Sequence, residues 1–203
     1  MNFPVHYFFQ KTRNWPLFQI LILVFFLTNT LSVASHRVAP AFSMTYIKTT
    51  EGDRYNFYSP AINYTGDFKT WNLRLHLSVS ILFPWWANQN GDECNMSQYY
   101  SSRLGSDLFI GISKNYPIAN HLRFIPALGY HLNSIRLRAK PEYMDFYSLS
   151  SGLGLNILTR YRWKSDPVNF AFLLIGMDFS DMLYTDNKLK KGYTITIGAG
   201  YAF

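Results

Sequence analysis

Cysteine is nearly absent. A single residue, Cys94, in 203 positions excludes an intramolecular disulfide scaffold and a cysteine-rich zinc site. Charge is also scarce: charged residues make up 15% of the chain, against about 25% in an ordinary soluble domain. Acids are the rarer sign, 12 against 19 Lys and Arg, giving a formal charge of +7. The basic residues are scattered rather than clustered, which argues against a nucleic-acid partner. After Leu27 no apolar stretch approaches the length of a membrane helix. A mean hydropathy of −0.06 argues against a multi-span helical protein. Apolar and aromatic residues, by contrast, are plentiful, at 48% and 18%. That content excludes an intrinsically disordered chain.

The N-terminus reads as an export signal. Lys11 and Arg13 precede the apolar run Leu17 to Leu27, and Ser32-Val33-Ala34 supplies a small-x-small cleavage pattern. The run is too short for a membrane helix, which takes about 20 residues. We therefore expect a cleaved leader over 1–34 and a mature domain over 35–203. An uncleaved anchor, or a cut after Ala41, are the alternatives. No cysteine follows the run, so a lipoprotein is not expected.

The rest of the chain alternates with period two. From Trp71 to Leu82, the residues Trp71, Leu73, Leu75, Leu77, Val79 and Ile81 share one face, and Asn72, Arg74, His76, Ser78 and Ser80 share the other. A helix would smear Arg74 and His76 around the apolar face, whereas a strand separates them. Similar alternation marks about 108–113, 121–132, 149–159, 171–180 and 193–203. Two less regular strands are expected at about 42–49 and 55–65. Pro60 and Pro126 are awkward in paired strands. The sum is an all-β fold, an eight-stranded antiparallel transmembrane barrel.

Alternation alone does not say which face points outward. A lipocalin-like soluble barrel would put its apolar face inside. The leader, the small residues on one face, and aromatics near strand ends favour lipid outside. Those aromatics are Trp71, Trp85, Trp86, Tyr116, Tyr161, Trp163, Tyr193, Tyr201 and Phe203. Connections at 66–70, 115–120 and 160–167 are short, and those at 84–106, 133–148 and 181–192 are longer. This phase, with 50–54 as a short exception, suits periplasmic turns and external loops.

The last eight residues, Thr196 to Phe203, place a polar residue, a glycine and two aromatics at Thr196, Gly198, Tyr201 and Phe203. This pattern resembles the C-terminal assembly signal of bacterial outer-membrane barrels. The resemblance implies recognition by the barrel-assembly machinery. The whole mature length resembles the small eight-stranded outer-membrane proteins, a group with the OmpA transmembrane domain, OmpX, OmpW and opacity-like proteins. It implies residence in the bacterial outer membrane, in contact with its lipid.

Candidate chemistry is sparse. The inward residues Arg74, His76, Arg123, His131 and Asp178 could line a pore or form a salt-bridged plug, and the plug is the expected arrangement. Asp178 is expected near the opposite end from Arg74 and Arg123, which leaves Asp67 as a candidate partner. Barrel enzymes that modify lipid A need a His with a Ser or acidic partner at the outer rim. Only His131, with Ser134 and Asp145, approaches that, so no catalytic set, metal or cofactor is expected. Cys94 follows Asp92 and Glu93, which would raise its pKa and make it unreactive. Tyr99 and Tyr100 in the 84–106 loop, and Arg136, Arg138 and Lys140 in the 133–148 loop, are the contact candidates for an external ligand.

The expected function is therefore a surface-exposed outer-membrane protein with an adhesin- or antigen-like role. A narrow, porin-like channel for small or apolar solutes is the alternative, prompted by the glycines of the inner face. A lipid A-modifying enzyme is the third.

Overall fold

The computed structural model describes residues 33–202 except 51, 71–72, 144, 163–167 and 182–188. Residues 1–32 of the expected leader, with Trp71, Trp163 and Phe203, lie outside the described residues, as does most of the 181–192 connection.

Eight long strands form the wall: β1 (Val33–Thr49), β2 (Arg54–Thr70), β3 (Leu73–Leu82), β6 (Tyr100–Ser113), β8 (Leu122–Ala139), β9 (Phe146–Tyr161), β10 (Val168–Asp181) and β11 (Leu189–Ala202). Three short strands accompany them: β4 (Trp86–Gln89), β5 (Asp92–Asn95) and β7 (Tyr116–Ala119). A single helical turn, α1 (Met96–Tyr99), precedes β6. Each wall strand pairs antiparallel with its neighbours in the chain, and β1 pairs with both β2 and β11. The sheet therefore closes and leaves no free edge in the wall.

The alternation fixes which face is inside. His76, Ser78 and Ser80 of β3 are buried, while Ile81 is exposed. In β8, Ile125, Ala127 and His131 are buried, while Leu128 is 65% exposed. Val38, Phe42, Ile62, Ile112, Leu153, Met177 and Ile197 add to an outward apolar band. Among the described residues no helix is long and apolar enough to cross a membrane. The strands carry that band instead.

The first strand begins earlier, and the second ends later, than the sequence pattern suggests. β1 runs from Val33, not Phe42, and β2 to Thr70, not Thr65. The pattern breaks because Arg37 points inward and Pro40 outward. The prolines sit within the wall: Pro40 stands opposite Ile62, Pro60 opposite Phe42 and Pro126 opposite Ile157.

Two of the long connections, 84–106 and 133–148, are mostly strand. Seventeen residues of β1, at roughly 3.3 Å each and tilted by about 40°, rise some 40 Å, well past an apolar band of about 25 Å. β6 and β8 stay paired up to Tyr100–Ala139, and β8 and β9 up to Leu137–Phe146. The 133–148 segment is thus a hairpin, with only 140–145 outside strands. The 84–106 segment continues the line of β3 after the break at Pro84, with β4 pairing on β2. Asn90 and Gly91, at φ of 54° and 108°, then turn β4 into β5.

Candidate functional site

The interior is filled from the end where β1 begins and β11 ends. Four inward registers at that mouth hold Arg74, Arg123, Arg160 and Arg162. Arg123 and Arg162 are exposed, and Arg74 and Arg160 are half-buried. Above them the carboxylate of Asp67 accepts from the Arg37 guanidinium and, at 2.7 Å, from His76 Nδ1. Asn156 Nδ2 lies 3.0 Å from His76 Nε2. All four residues of this network are buried.

A hydrophobic cluster of Ile125, Ala127, Leu158, Phe170, Phe172, Leu174 and Ala39 packs alongside this network and ends in a layer formed by Phe109, whose ring lies 6.0 Å from that of His76. The inner-face glycines make room for it. A methyl on Gly111 or Gly154 would meet the Phe109 ring at 2.5 and 2.7 Å. Over this layer sits a second network. His131 Nδ1 donates to Asp178 Oδ1 at 2.7 Å, and Nε2 lies 2.6 Å from Asp107 Oδ1, an ion-pair contact rather than an aligned hydrogen bond. Ser150 donates to Asp178 at 2.8 Å, and Thr196 donates to Asp107 at 3.1 Å. A methyl on Gly176 would strike the His131 ring at 2.3 Å. At Gly111, Gly154, Gly176 and Gly198 the room left by the missing side chain is taken by the rings of Phe109, His131 and Phe172.

The outer end is closed by a second apolar cluster of Ile47, Phe57, Ala87, Met96, Ile135 and Leu137. Tyr55, Cys94, Tyr100 and Phe146 pack against it. Burial pushes the Cys94 thiol up from its ordinary pKa, which keeps it protonated. Burial also raises Tyr100, with Cys94 and Asp145 adding to the shift. Tyr99 is half-buried and meets the Tyr143 ring edge-on at 5.1 Å. Both tyrosines thus act in holding the cap together. The Ala139 N–H donates to Asp145 Oδ1 at 2.7 Å, closing the β8–β9 hairpin.

Several sequence expectations meet these positions. His76, His131 and Asp178 are buried inside, as the alternation required, while Arg74 and Arg123 belong to the mouth. Asp67 does take a partner role, with Arg37 and His76 rather than Arg74 or Arg123. His131 is not a rim residue: it is fully buried. Ser134 lies on the opposite face of β8 and Asp145 is engaged in the hairpin, so the three do not converge. Among the described residues no group of three or more His, Cys, Asp or Glu is placed to hold a metal. The two carboxylates beside His131 approach opposite ring nitrogens and have no common focus. Arg136, Arg138 and Lys140 lie on the outer hairpin, the two arginines exposed and the lysine exposed at its tip. Of the assembly-signal residues, Thr196 is buried and, with its own proton directed at Asp107, accepts from the Ser43 hydroxyl at 2.9 Å, Gly198 gives room to Phe172, and Tyr201 faces outward.

The reading from sequence missed Arg37, Asp107, Asn63 and Arg160. Asp107 and Arg160 lie just beyond the segments taken as strands, on the inward parity, and extending the alternation would have found them. Asn63 is a buried hub that donates to Ser78 and Ser80, both at 2.9 Å.

No protein-family model matches the chain. Among curated proteins it is similar to a tritrans,polycis-undecaprenyl-diphosphate synthase (geranylgeranyl-diphosphate specific) of Picrophilus torridus, 26% identical over 117 residues. That match takes in 50% of this chain and 44% of the enzyme's length, and it shows no family. Among solved structures, Neisserial surface protein A aligns with a TM-score of 0.52 at 10% identity, over 81% of this chain and 94% of that one. Ail, the attachment invasion locus protein of Yersinia pestis, aligns at 0.46 and 12% identity, over 83% and 98%. A major outer membrane protein of Thermus thermophilus aligns at 0.42 and 11%, over 82% and 99%. At such identities the likeness is one of fold. Closure in eight strands, the outward apolar band and the first of these alignments agree: the chain has the fold of the small eight-stranded outer-membrane β-barrels.

Proposed function

We propose that this is a surface-exposed outer-membrane protein that works through its outer rim as a binding or adhesion surface, without catalysis. The observation that carries the reading is the filled interior: ionic layer, Phe109 layer, ionic layer and apolar cap succeed one another along the tube. Such packing supports a scaffold over a channel. The scaffold lifts the β8–β9 hairpin above the apolar band and presents Arg136, Arg138 and Lys140 on it. Cations carried on a paired hairpin suit an anionic external partner, because the backbone that presents them is already ordered. The band itself contacts outer-membrane lipid, and the Thr196 to Phe203 pattern is read by the barrel-assembly machinery.

The test is binding of expressing cells to a heparin-coated surface, a polyanion probe. Replacing Arg136, Arg138 and Lys140 together with Ala is expected to lower adhesion about tenfold while surface display stays constant. Unchanged adhesion overturns the rim assignment. Current steps in planar bilayers would restore the channel, and lipid A altered in mass by expression would restore the enzyme.

A further inference from the structure

The outer end is capped, but the mouth at the other end is built differently. On the fold's orientation, with both termini periplasmic, this is the periplasmic end. Arg123 and Arg160 stand directly opposite each other on β8 and β9. Like charges placed opposite across strands repel. Arg162 follows on the same inward alternation, its N–H donating to the His121 carbonyl at 2.9 Å. Further positive charge reaches Arg160 from Arg37 and Arg74, and the acid acting on it is Asp67, already engaged by Arg37 and His76.

Arg160 Nε is buried and makes no hydrogen bond. Among the described residues Arg74, Arg123, Arg160 and Arg162 form no ion pair. Asn120, His121, Arg123, Arg160 and Arg162 line a partly open cleft of about 230 Å³. A second hollow, lined by Pro117 to Asn120 and Arg123, adjoins it. Among the described residues only Asp67 offsets these cations, so gathering them costs stability, and a bound anion lowers that cost.

We propose that this mouth binds a phosphate-type oxyanion, gripped by Arg123, Arg160 and Arg162 within the field of Arg74. Guanidinium groups suit such a ligand, since each offers paired N–H donors that match two oxygens of a tetrahedral anion. The same chemistry serves free phosphate and the phosphodiester of a lipid headgroup. Tyr116 and Ile118, exposed beside the second hollow, offer an acyl chain apolar contact in the latter case.

The test uses the purified protein in a maltoside detergent, which brings no phosphate of its own. One arm titrates inorganic phosphate, and the other titrates phosphatidylglycerol in mixed micelles against an uncharged diacylglycerol control. Saturable binding is expected in at least one arm. Arg123→Gln with Arg160→Gln should weaken it about tenfold or more, given the strength of charge-assisted contacts. Arg54→Gln, an exposed position at the far end, should leave it within about twofold. Binding in the lipid arm alone assigns the headgroup, and equal binding of phosphate assigns the small anion. No saturable binding in either arm overturns the proposal, as does unchanged affinity in the double variant. Heat-modifiable gel mobility reports whether that variant is folded. If it is not, Arg162→Gln, an exposed position outside the strands, decides: a loss of severalfold supports the site and no loss overturns it.

Discussion

The two buried charge networks lie in one tube and are composed in opposite ways. The network nearer the termini has one carboxylate, Asp67, shared by two bases, Arg37 and His76. The network above the Phe109 layer has one base, His131, between two carboxylates, Asp107 and Asp178. The two compositions would complement each other if the networks met. They do not, because the Phe109 ring stands between them, 6.0 Å from the His76 ring and opposite His131 in the β6–β8 register. Each network is instead completed by local neutral groups: Asn156 below, and Ser150 and Thr196 above. A buried charge here is matched by what its neighbouring strands offer, not by the balance of the whole interior.

The comparison predicts an asymmetry. Asp67→Asn removes the carboxylate that two bases share, and breaking a buried pair costs about 3–5 kcal/mol. Phe109→Ala tests the layer between the networks and should cost a similar amount, about 3–5 kcal/mol, through the lost ring and the cavity. Asp107→Asn leaves His131 its bond to Asp178, so its cost should fall to about 1–3 kcal/mol, the range for one charge-assisted hydrogen bond. Urea unfolding from lipid vesicles, followed by tryptophan fluorescence, measures all three. Equal losses for the two Asp variants would show that the networks act as one. If Phe109 insulates the charges, Asp67→Asn and Asp107→Asn should be additive while the ring is present. They should become coupled once Phe109→Ala removes it. Gly154→Ala presses a methyl into the same ring and should cost about 1–3 kcal/mol. The smallest effect belongs to the outer hairpin, where Arg136→Gln and Arg138→Gln, both exposed, should move stability by less than about 0.5 kcal/mol.

Much of the wall could be read from the chain. The β3 alternation from Leu73 to Leu82 and that of β8 placed His76 and His131 on the inner face without any structure. Alternation is legible because one face meets lipid and the other a crowded interior. The irregular strands were harder for the same reason. β1 carries Arg37 inward and Pro40 outward, so contrast between its faces fades where the ionic network forms. The partners Asp107 and Arg160 sat just past the visible pattern. The cap was hidden differently. Asn90-Gly91 is a strong hairpin signal, but inside a polar stretch it reads as loop. That Tyr100 and Cys94 pack beneath this hairpin depends on long-range folding that no local pattern encodes.

The closing seam joins the earliest strand of the wall to the latest. β1 and β11 are paired from Arg37–Ala202 to Thr49–Leu189, and Thr196 reaches both Ser43 of the first strand and Asp107 in the middle of the chain. Until β11 arrives, β1 has one open flank and Asp107 lacks the Thr196 hydroxyl. Synthesis therefore delivers the strands in an order that folding cannot follow step by step. Contacts of such long range make closure slow. The unfinished chain must travel as an unclosed sheet precursor with its edges guarded by something else. A variant lacking β11 should accumulate as that precursor, not as a smaller barrel.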